Sequence, residues 1–186
     1  MKIGIFGGVF NPPHLGHLMI ARQVLDFTDI DEVWFLPNYG QHPPKPHVAS
    51  VIHRLAMTKF LKATGTRVST IEIDRKLDGN TINLLPHLPP KHTYTFIMGS
   101  DWLLGFTVWG NWELLLKKIP FLVFPRCGYA NAPLYPNMTL LDAPTIMTTN
   151  ISSTKIRERV RKGLPIDAFV PSAIALYIKK HGLYKT

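Results

Sequence analysis

Four short stretches of the chain are almost wholly apolar: Ile3-Gly4-Ile5-Phe6, Val33-Trp34-Phe35-Leu36, Tyr94-Thr95-Phe96-Ile97-Met98 and Phe121-Leu122-Val123-Phe124. Each is too short for a helix and too evenly apolar for a half-exposed strand, which suits strands buried on both faces of a parallel sheet. Arg67 to Ile73 reads as a further strand. Between the first two runs, Leu18, Ala21, Val24 and Leu25 recur at helical spacing, so a helix should run to about Phe27. A second helix is expected from about Ser50, its candidate cap, to Ala63, with Ile52, Leu55, Ala56 and Phe60 on the apolar face. Ile174, Tyr177 and Ile178 mark a last helix ended by Gly182, while proline-rich Tyr129 to Pro144 supports no assignment. Strand, helix and strand in so short a span predict a right-handed βαβ unit. The expected fold is α/β, a Rossmann-like parallel sheet with helices on both faces, as a single domain over 1–186 with a short C-terminal helical part. Ligands of such sheets bind beyond the carboxyl ends of the strands, where Gly7 and Asn38 both fall.

Composition narrows the partners. The chain has 186 residues, 46% of them hydrophobic, which is enough for a full core. Its net charge of +9 calls for an acidic partner, whether nucleic acid, anionic membrane or small phosphorylated ligands. Basic residues are spread along the chain apart from a cluster at Lys155 to Lys162, with no aromatic-interleaved basic motif, so no nucleic-acid partner is expected. No apolar run is long enough for a membrane span. Cys127 is the only cysteine, and no secretory leader pattern follows Met1-Lys2, so a cytoplasmic setting is expected.

The chemistry starts at Gly7-Gly8-Val9-Phe10-Asn11-Pro12-Pro13-His14-Leu15-Gly16-His17. Glycines after a buried strand permit a turn that brings main-chain N–H groups close to an anion. The helix starting near His14 aims its unpaired N–H groups and positive dipole end at the same spot. His14 and His17, three residues apart, share a helix face and can donate to phosphate oxygens. A zinc pair would need a third ligand, and none is near in sequence. A second anion site is read at Ile151-Ser152-Ser153-Thr154-Lys155-Ile156-Arg157, where Ser152 or Ser153 caps a helix. The free N–H groups, the hydroxyls and Arg157 then face one anion. Gly99-Ser100-Asp101 closes the Tyr94 strand, leaving room for a ligand and a carboxylate for sugar hydroxyls or a helix cap.

The first run resembles the signature of the HxGH nucleotidyltransferase superfamily. Ile151-Ser152-Ser153-Thr154-Lys155-Ile156-Arg157 is similar to that superfamily's carboxyl-terminal motif at every fixed position, and the likeness extends over nearly the whole chain. It implies that Gly7, Gly8, Phe10, Ile151, Ser152, Ser153 and Thr154 bind ATP, that Gly99 and Asp101 line the adenylate ribose, and that His14, His17 and Arg157 act on the phosphates. The closest resemblance is to the bacterial branch that adenylylates nicotinate mononucleotide. That branch has a Pro-Pro-His-Lys stretch where this chain reads Pro43-Pro44-Lys45-Pro46-His47, and a Ser-Tyr-Thr triplet where it reads Gly79-Asn80-Thr81. It has an Arg-Pro-Gly turn where this chain reads Arg126-Cys127-Gly128. The resemblance thus implies substrate contacts from Asn38, Lys45, Thr81 and Arg126, with Trp109 stacked on the pyridine ring and Trp112 in the core. ATP is the implied co-substrate, with Mg2+ carried on its phosphates and no protein metal cluster. The implied partners are small molecules, ATP and nicotinate mononucleotide, and a homo-oligomer stays open.

Other readings share parts of this pattern. Phosphopantetheine adenylyltransferases and cytidylyltransferases have the same histidine turn, as does a class I aminoacyl-tRNA synthetase fragment, and a non-enzymatic nucleotide or nucleic-acid binding module would also be basic. Preference for the acidic or the amidated mononucleotide stays open in the sequence.

Overall fold

In the computed structural model, which describes residues 1–40 and 48–185, the apolar runs become parallel strands. They are β1 (Lys2–Gly8), β2 (Glu32–Pro37), β3 (Thr66–Val68), β4 (Thr93–Gly99), β5 (Phe121–Phe124) and β6 (Met138–Leu140). The sheet order is β3-β2-β1-β4-β5-β6, every pair parallel. β1 lies at the centre, with Ile5 level with Trp34 on one side and Phe96 on the other. The order reverses between β1 and β4, so their connections leave in opposite directions and a crevice opens at their carboxyl ends.

The even apolar runs are explained by two cores. Phe6, Phe35, Ile97 and Leu122 point to one face, packed under α1 (Leu15–Phe27), α2 (Val51–Thr58), α6 (Ser153–Arg161) and α7 (Ser172–Lys180). Their neighbours Ile5, Leu36, Phe96 and Phe121 point to the other, under Leu84 of α4 (Thr81–Leu84) and Leu115 of α5 (Trp112–Lys118). Successive strand residues alternate between faces, so a strand covered on both must be apolar throughout.

Three elements depart from the sequence reading. The strand expected from Arg67 to Ile73 is only Thr66–Val68, and Ile71–Asp74 forms a helical turn, α3. The helix expected to reach Ala63 ends at Thr58, and its buried face carries Arg54, Met57 and Thr58, leaving Ile52 74% exposed. Proline-rich 129–144 contains β6, an edge strand of three residues.

Arg54, 1% exposed, inverts the expected face of α2 because its guanidinium finds three backbone carbonyls. Nη1 donates to Val9 at 2.9 Å, Nε to Ala49 at 3.2 Å and Nη2 to Tyr39 at 3.3 Å. One side chain thereby ties the turn after β1 to the segments after β2 and before α2. Arg54→Met should leave these carbonyls without donors and cost about 3 kcal/mol, a fall of roughly 6–12 °C in thermal midpoint. Thermal unfolding followed by circular dichroism measures it, and a change under 2 °C, within noise on that scale, contradicts this role.

Candidate active site

The chain leaves β1 through Gly7 and Gly8, passes Phe10 in the left-handed region (φ 50°), and enters α1 with His14 as its N-cap residue. A Cβ on Gly16 would lie 3.0 Å from His14 Nδ1, so glycine is what lets the imidazole lie back along the helix. The His14 and His17 rings stack with centroids 3.7 Å apart. The His14 backbone N–H donates to His17 Nδ1 at 3.0 Å. A nitrogen that accepts carries no proton, so neutral His17 keeps its N–H on Nε2, as a donor. Burial, reinforced by the Arg126 guanidinium, pushes His17 down to about 3. Burial also lowers His14, with His17 and Arg126 adding to it. Both imidazoles are therefore uncharged at neutral pH, and a phosphate placed against them would oppose that shift.

The second wall is the start of α6. Ser152 caps the helix, its hydroxyl accepting from the Lys155 N–H at 3.3 Å. Ser153 Oγ donates to the Pro12 carbonyl at 2.8 Å, and Arg157 Nη1 to the Asn11 carbonyl at 2.8 Å. Arg157 Nη2 reaches Thr154 Oγ1 at 3.3 Å. The Asn11 side-chain oxygen in turn accepts from Tyr184 Oη at 2.9 Å and the Ala49 N–H at 3.0 Å. The two anion motifs read from the sequence are thus bonded to each other across more than a hundred residues.

Arg126 lies between these walls and the end of β4. Its N–H donates to Ser100 Oγ at 2.9 Å, its Nη2 to the Ile151 carbonyl at 3.4 Å, and its Nε lies 3.8 Å from Asp101 Oδ1. A Cβ on Gly99 would collide with Asp101 and crowd Arg126, so glycine there makes room for both. On the far side, Trp109 stands edge-on to Phe96 at 5.6 Å and against Phe106 at 5.3 Å. Asn80, the N-cap residue of α4, is held to Asp78 by its N–H at 2.9 Å and its side-chain amide at 2.7 Å.

These walls enclose a cleft of about 350 Å³. Gly7, Gly8, Phe10, His14, His17, Asn38, Thr81, Gly99, Asp101, Trp109, Arg126, Ser152, Ser153, Thr154 and Arg157 all line it. Ile151 is not in the lining and takes part through its carbonyl, and Lys45 lies outside the described residues. Trp112 packs away from the cleft, against Phe106 and Tyr135. Sequence reasoning missed Asn11, Tyr184 and Arg54, which hold the turn, and Glu72, a carboxyl 2% exposed that lines the cleft. Burial, with Asp78 adding to it, raises Glu72 to about 7 against hydrogen bonds from the Tyr39 and Gly79 N–H groups.

Among the described residues, five buried side-chain polar atoms lack a hydrogen-bond partner, and four belong to cleft residues: His14 Nδ1, Arg126 Nε, Arg157 Nε and Glu72 Oε2. Buried polar atoms are ordinarily satisfied, so their concentration here points to a polar ligand.

Fold and cleft together define a class: a doubly wound α/β protein with a nucleotide-sized crevice at its switch point, walled by cations and two helix N-termini. The cytidylyltransferase-like family model matches residues 5–159. A probable nicotinate-nucleotide adenylyltransferase of Halalkalibacterium halodurans is 37% identical, the alignment covering 100% of this chain and 92% of that protein. One from Salinibacter ruber is also 37% identical, covering 100% and 98%. The chain belongs to the cytidylyltransferase-like family and, within it, to the nicotinate-nucleotide adenylyltransferases. A solved structure of Plasmodium falciparum nicotinic acid mononucleotide adenylyltransferase, complexed with NaAD, superposes with a TM-score of 0.80 over 99% of this chain and 97% of that one. At 21% identity, that likeness bears on the fold.

The buried imidazoles make stability fall with acid. His17 titrates near 3 when folded against 6.5 ordinarily, so the unfolded chain binds the extra proton, and the stability held above pH 6.5 is lost as pH falls toward 3. Glu72 acts oppositely: raised from 4.5 to about 7, its contribution is whole below pH 4.5 and is lost as pH rises through 7. Replacing His17 by Gln should flatten the acid limb by up to about 1.4 kcal/mol per pH unit between pH 6.5 and 3. Urea unfolding at stepped pH reads this, and parallel limbs for the two proteins contradict it.

Proposed function

We propose that the chain, acting as one nucleotidyltransferase domain over 1–186, transfers the adenylyl group of ATP to nicotinate mononucleotide, giving deamido-NAD and pyrophosphate in NAD synthesis. The observation that carries this reading is the bonding of the two anion motifs into one wall, Ser153 to Pro12 and Arg157 to Asn11, facing Trp109 across a single cleft. A triphosphate fits between helix N-termini and guanidinium groups, and a flat heteroaromatic ring fits an indole face. Full-length relatives carrying this activity in their names support the choice of substrates.

The reaction needs alignment more than acid–base chemistry. A phosphate monoester has its second pKa at about 6, so at neutral pH it is already a nucleophile. One of its oxygens bonds to the α-phosphorus of ATP while the bond from that phosphorus to the bridging oxygen breaks, and pyrophosphate leaves with the electron pair. His17 Nε2–H and His14 hydrogen-bond the phosphates as neutral donors, with His17 at the α-phosphoryl group where charge builds up. Ser152, Thr154, Arg157 and the α6 N-terminus hold the β- and γ-phosphates, and Gly99 and Asp101 take the ribose. Arg126, beside Asp101 and facing both histidines, adds a positive charge to the phosphate region. Asn38 and Thr81 lie on the mononucleotide side. The groups on the phosphate side are imidazole and guanidinium, which suit phosphate oxygens and not a cation. Mg2+ would therefore be held by the triphosphate and water, supplying charge neutralisation. A reducing, cytoplasmic setting agrees with the single cysteine.

Pyrophosphate release from ATP plus nicotinate mononucleotide tests the assignment. His17→Ala should lower kcat at least ~100-fold with little change in the KM for ATP, as for loss of a donor used in the transition state. Trp109→Ala should act mainly on the KM for the mononucleotide. Near-native turnover by folded His17→Ala rejects the histidine's role. Salt-sensitive RNA binding without ATP turnover would favour a binding module instead.

A further inference from the structure

Among the described residues, Glu72 is the one acidic group with an unpartnered buried atom in the cleft, and phosphate binding leaves it unused. It sits on α3, far in chemistry from the cationic phosphate wall. Its Oε2 is buried without a hydrogen-bond partner, and the backbone N–H groups of Tyr39, after β2, and Gly79, after α3, lie near enough to the carboxyl to favour its ionised form. Its position relative to the ring platform follows from short links. Gly79 precedes Asn80, and a Cβ on Gly110 would lie 2.9 Å from Asn80 Oδ1, so the loop held by Glu72 packs against the residue next to Trp109. Gly40, beside Tyr39, donates to the Leu77 carbonyl at 3.0 Å, and a Cβ on it would clash with the Asp78 backbone. The two loops are locked together with the carboxyl between them.

We propose that Glu72 is a specificity-determining residue, its Oε2 hydrogen-bonding the 3-substituent of the pyridine ring and thereby setting the choice between acid and amide. This rests on the function proposed above. The physics is a matter of which partner carries the proton. A neutral Glu72 offers an O–H donor to a substrate carboxylate, a charge-assisted bond. An ionised Glu72 repels that carboxylate and accepts instead from a carboxamide N–H. Among the described residues, Asp78 is the charged group facing Glu72, and its negative charge works with burial to keep the proton on, while the Tyr39 and Gly79 N–H groups favour the ionised form. The balance falls at about 7, so both forms are populated in the working range.

The test compares kcat/KM for nicotinate mononucleotide with that for nicotinamide mononucleotide from pH 6 to 8.5. Titrations of the substrate phosphate, ATP and the histidines are common to both reactions and cancel in the ratio. For the unaltered chain the acid-to-amide ratio should fall at least tenfold across this range. In Glu72→Gln, which keeps an acceptor for the loop N–H groups and a neutral donor for the substrate, the ratio should be independent of pH. A flat ratio in the unaltered chain overturns the proposal, as does an equal fall in Glu72→Gln. If that variant does not fold, the slope of the unaltered chain alone decides. Absence of turnover with either mononucleotide would instead overturn the parent reading, and this one with it.

Discussion

The turn from Val9 to Pro12 is suited to a phosphate because three of its four backbone carbonyl oxygens are engaged elsewhere. Val9 accepts from Arg54, Asn11 from Arg157, and Pro12 from Ser153, while the Asn11 side chain accepts from Tyr184 and Ala49. With these carbonyls turned to their donors, Val9, Phe10 and Asn11 line the cleft together with His14 and His17. A turn that exposed its carbonyls there would repel an anion. The donors come from α2 and the segment before it, from α6 and from the C-terminal segment, so the conformation of this turn is a property of the folded chain and not of the glycine run alone.

Both histidines follow from the same constraint. His17 packs against Phe6 and Phe10 and accepts the His14 N–H on Nδ1, His14 is buried against it, and both stay neutral, the His17 tautomer fixed by the backbone. Neutral donors aimed at a developing negative charge cost less reorganisation than a mobile, solvated cation. Among the described residues, the formal positive charge of the cleft comes from Arg126 and Arg157, whose Nε atoms are buried without hydrogen-bond partners. Lysines and arginines elsewhere on this basic chain are mostly exposed and answer for its net charge, not for its site.

Much of this was legible in the sequence, and the reasons differ by element. Strands β1, β2, β4 and β5 were visible because burial on both faces leaves no polar position to confuse their pattern. The histidine turn and most of the Ile151 to Arg157 run, which line one cleft, were visible because the residue types that suit an anion at a helix start are concentrated locally in each. β3 and β6 were missed or overdrawn because short edge strands carry half-exposed residues with weak pattern. Ile71-Glu72-Ile73 alternates as an edge strand would, yet folds as a helical turn with the carboxylate buried. Arg54 misled the assignment of the α2 face, since nothing local says that three carbonyls from distant segments will gather around one guanidinium. What the sequence hides is the set of polar residues whose partners are remote in the chain.

In the function proposed for this chain, the histidine turn and α6 act as one clamp on one triphosphate. A double-mutant cycle on kcat/KM with His17→Ala and Arg157→Ala measures it most directly, because residues acting as a unit lose activity non-additively. The account predicts that the combined variant loses far less than the product of the two single losses, since either change already opens the clamp. Losses that multiply would mean two independent sites, and would contradict it.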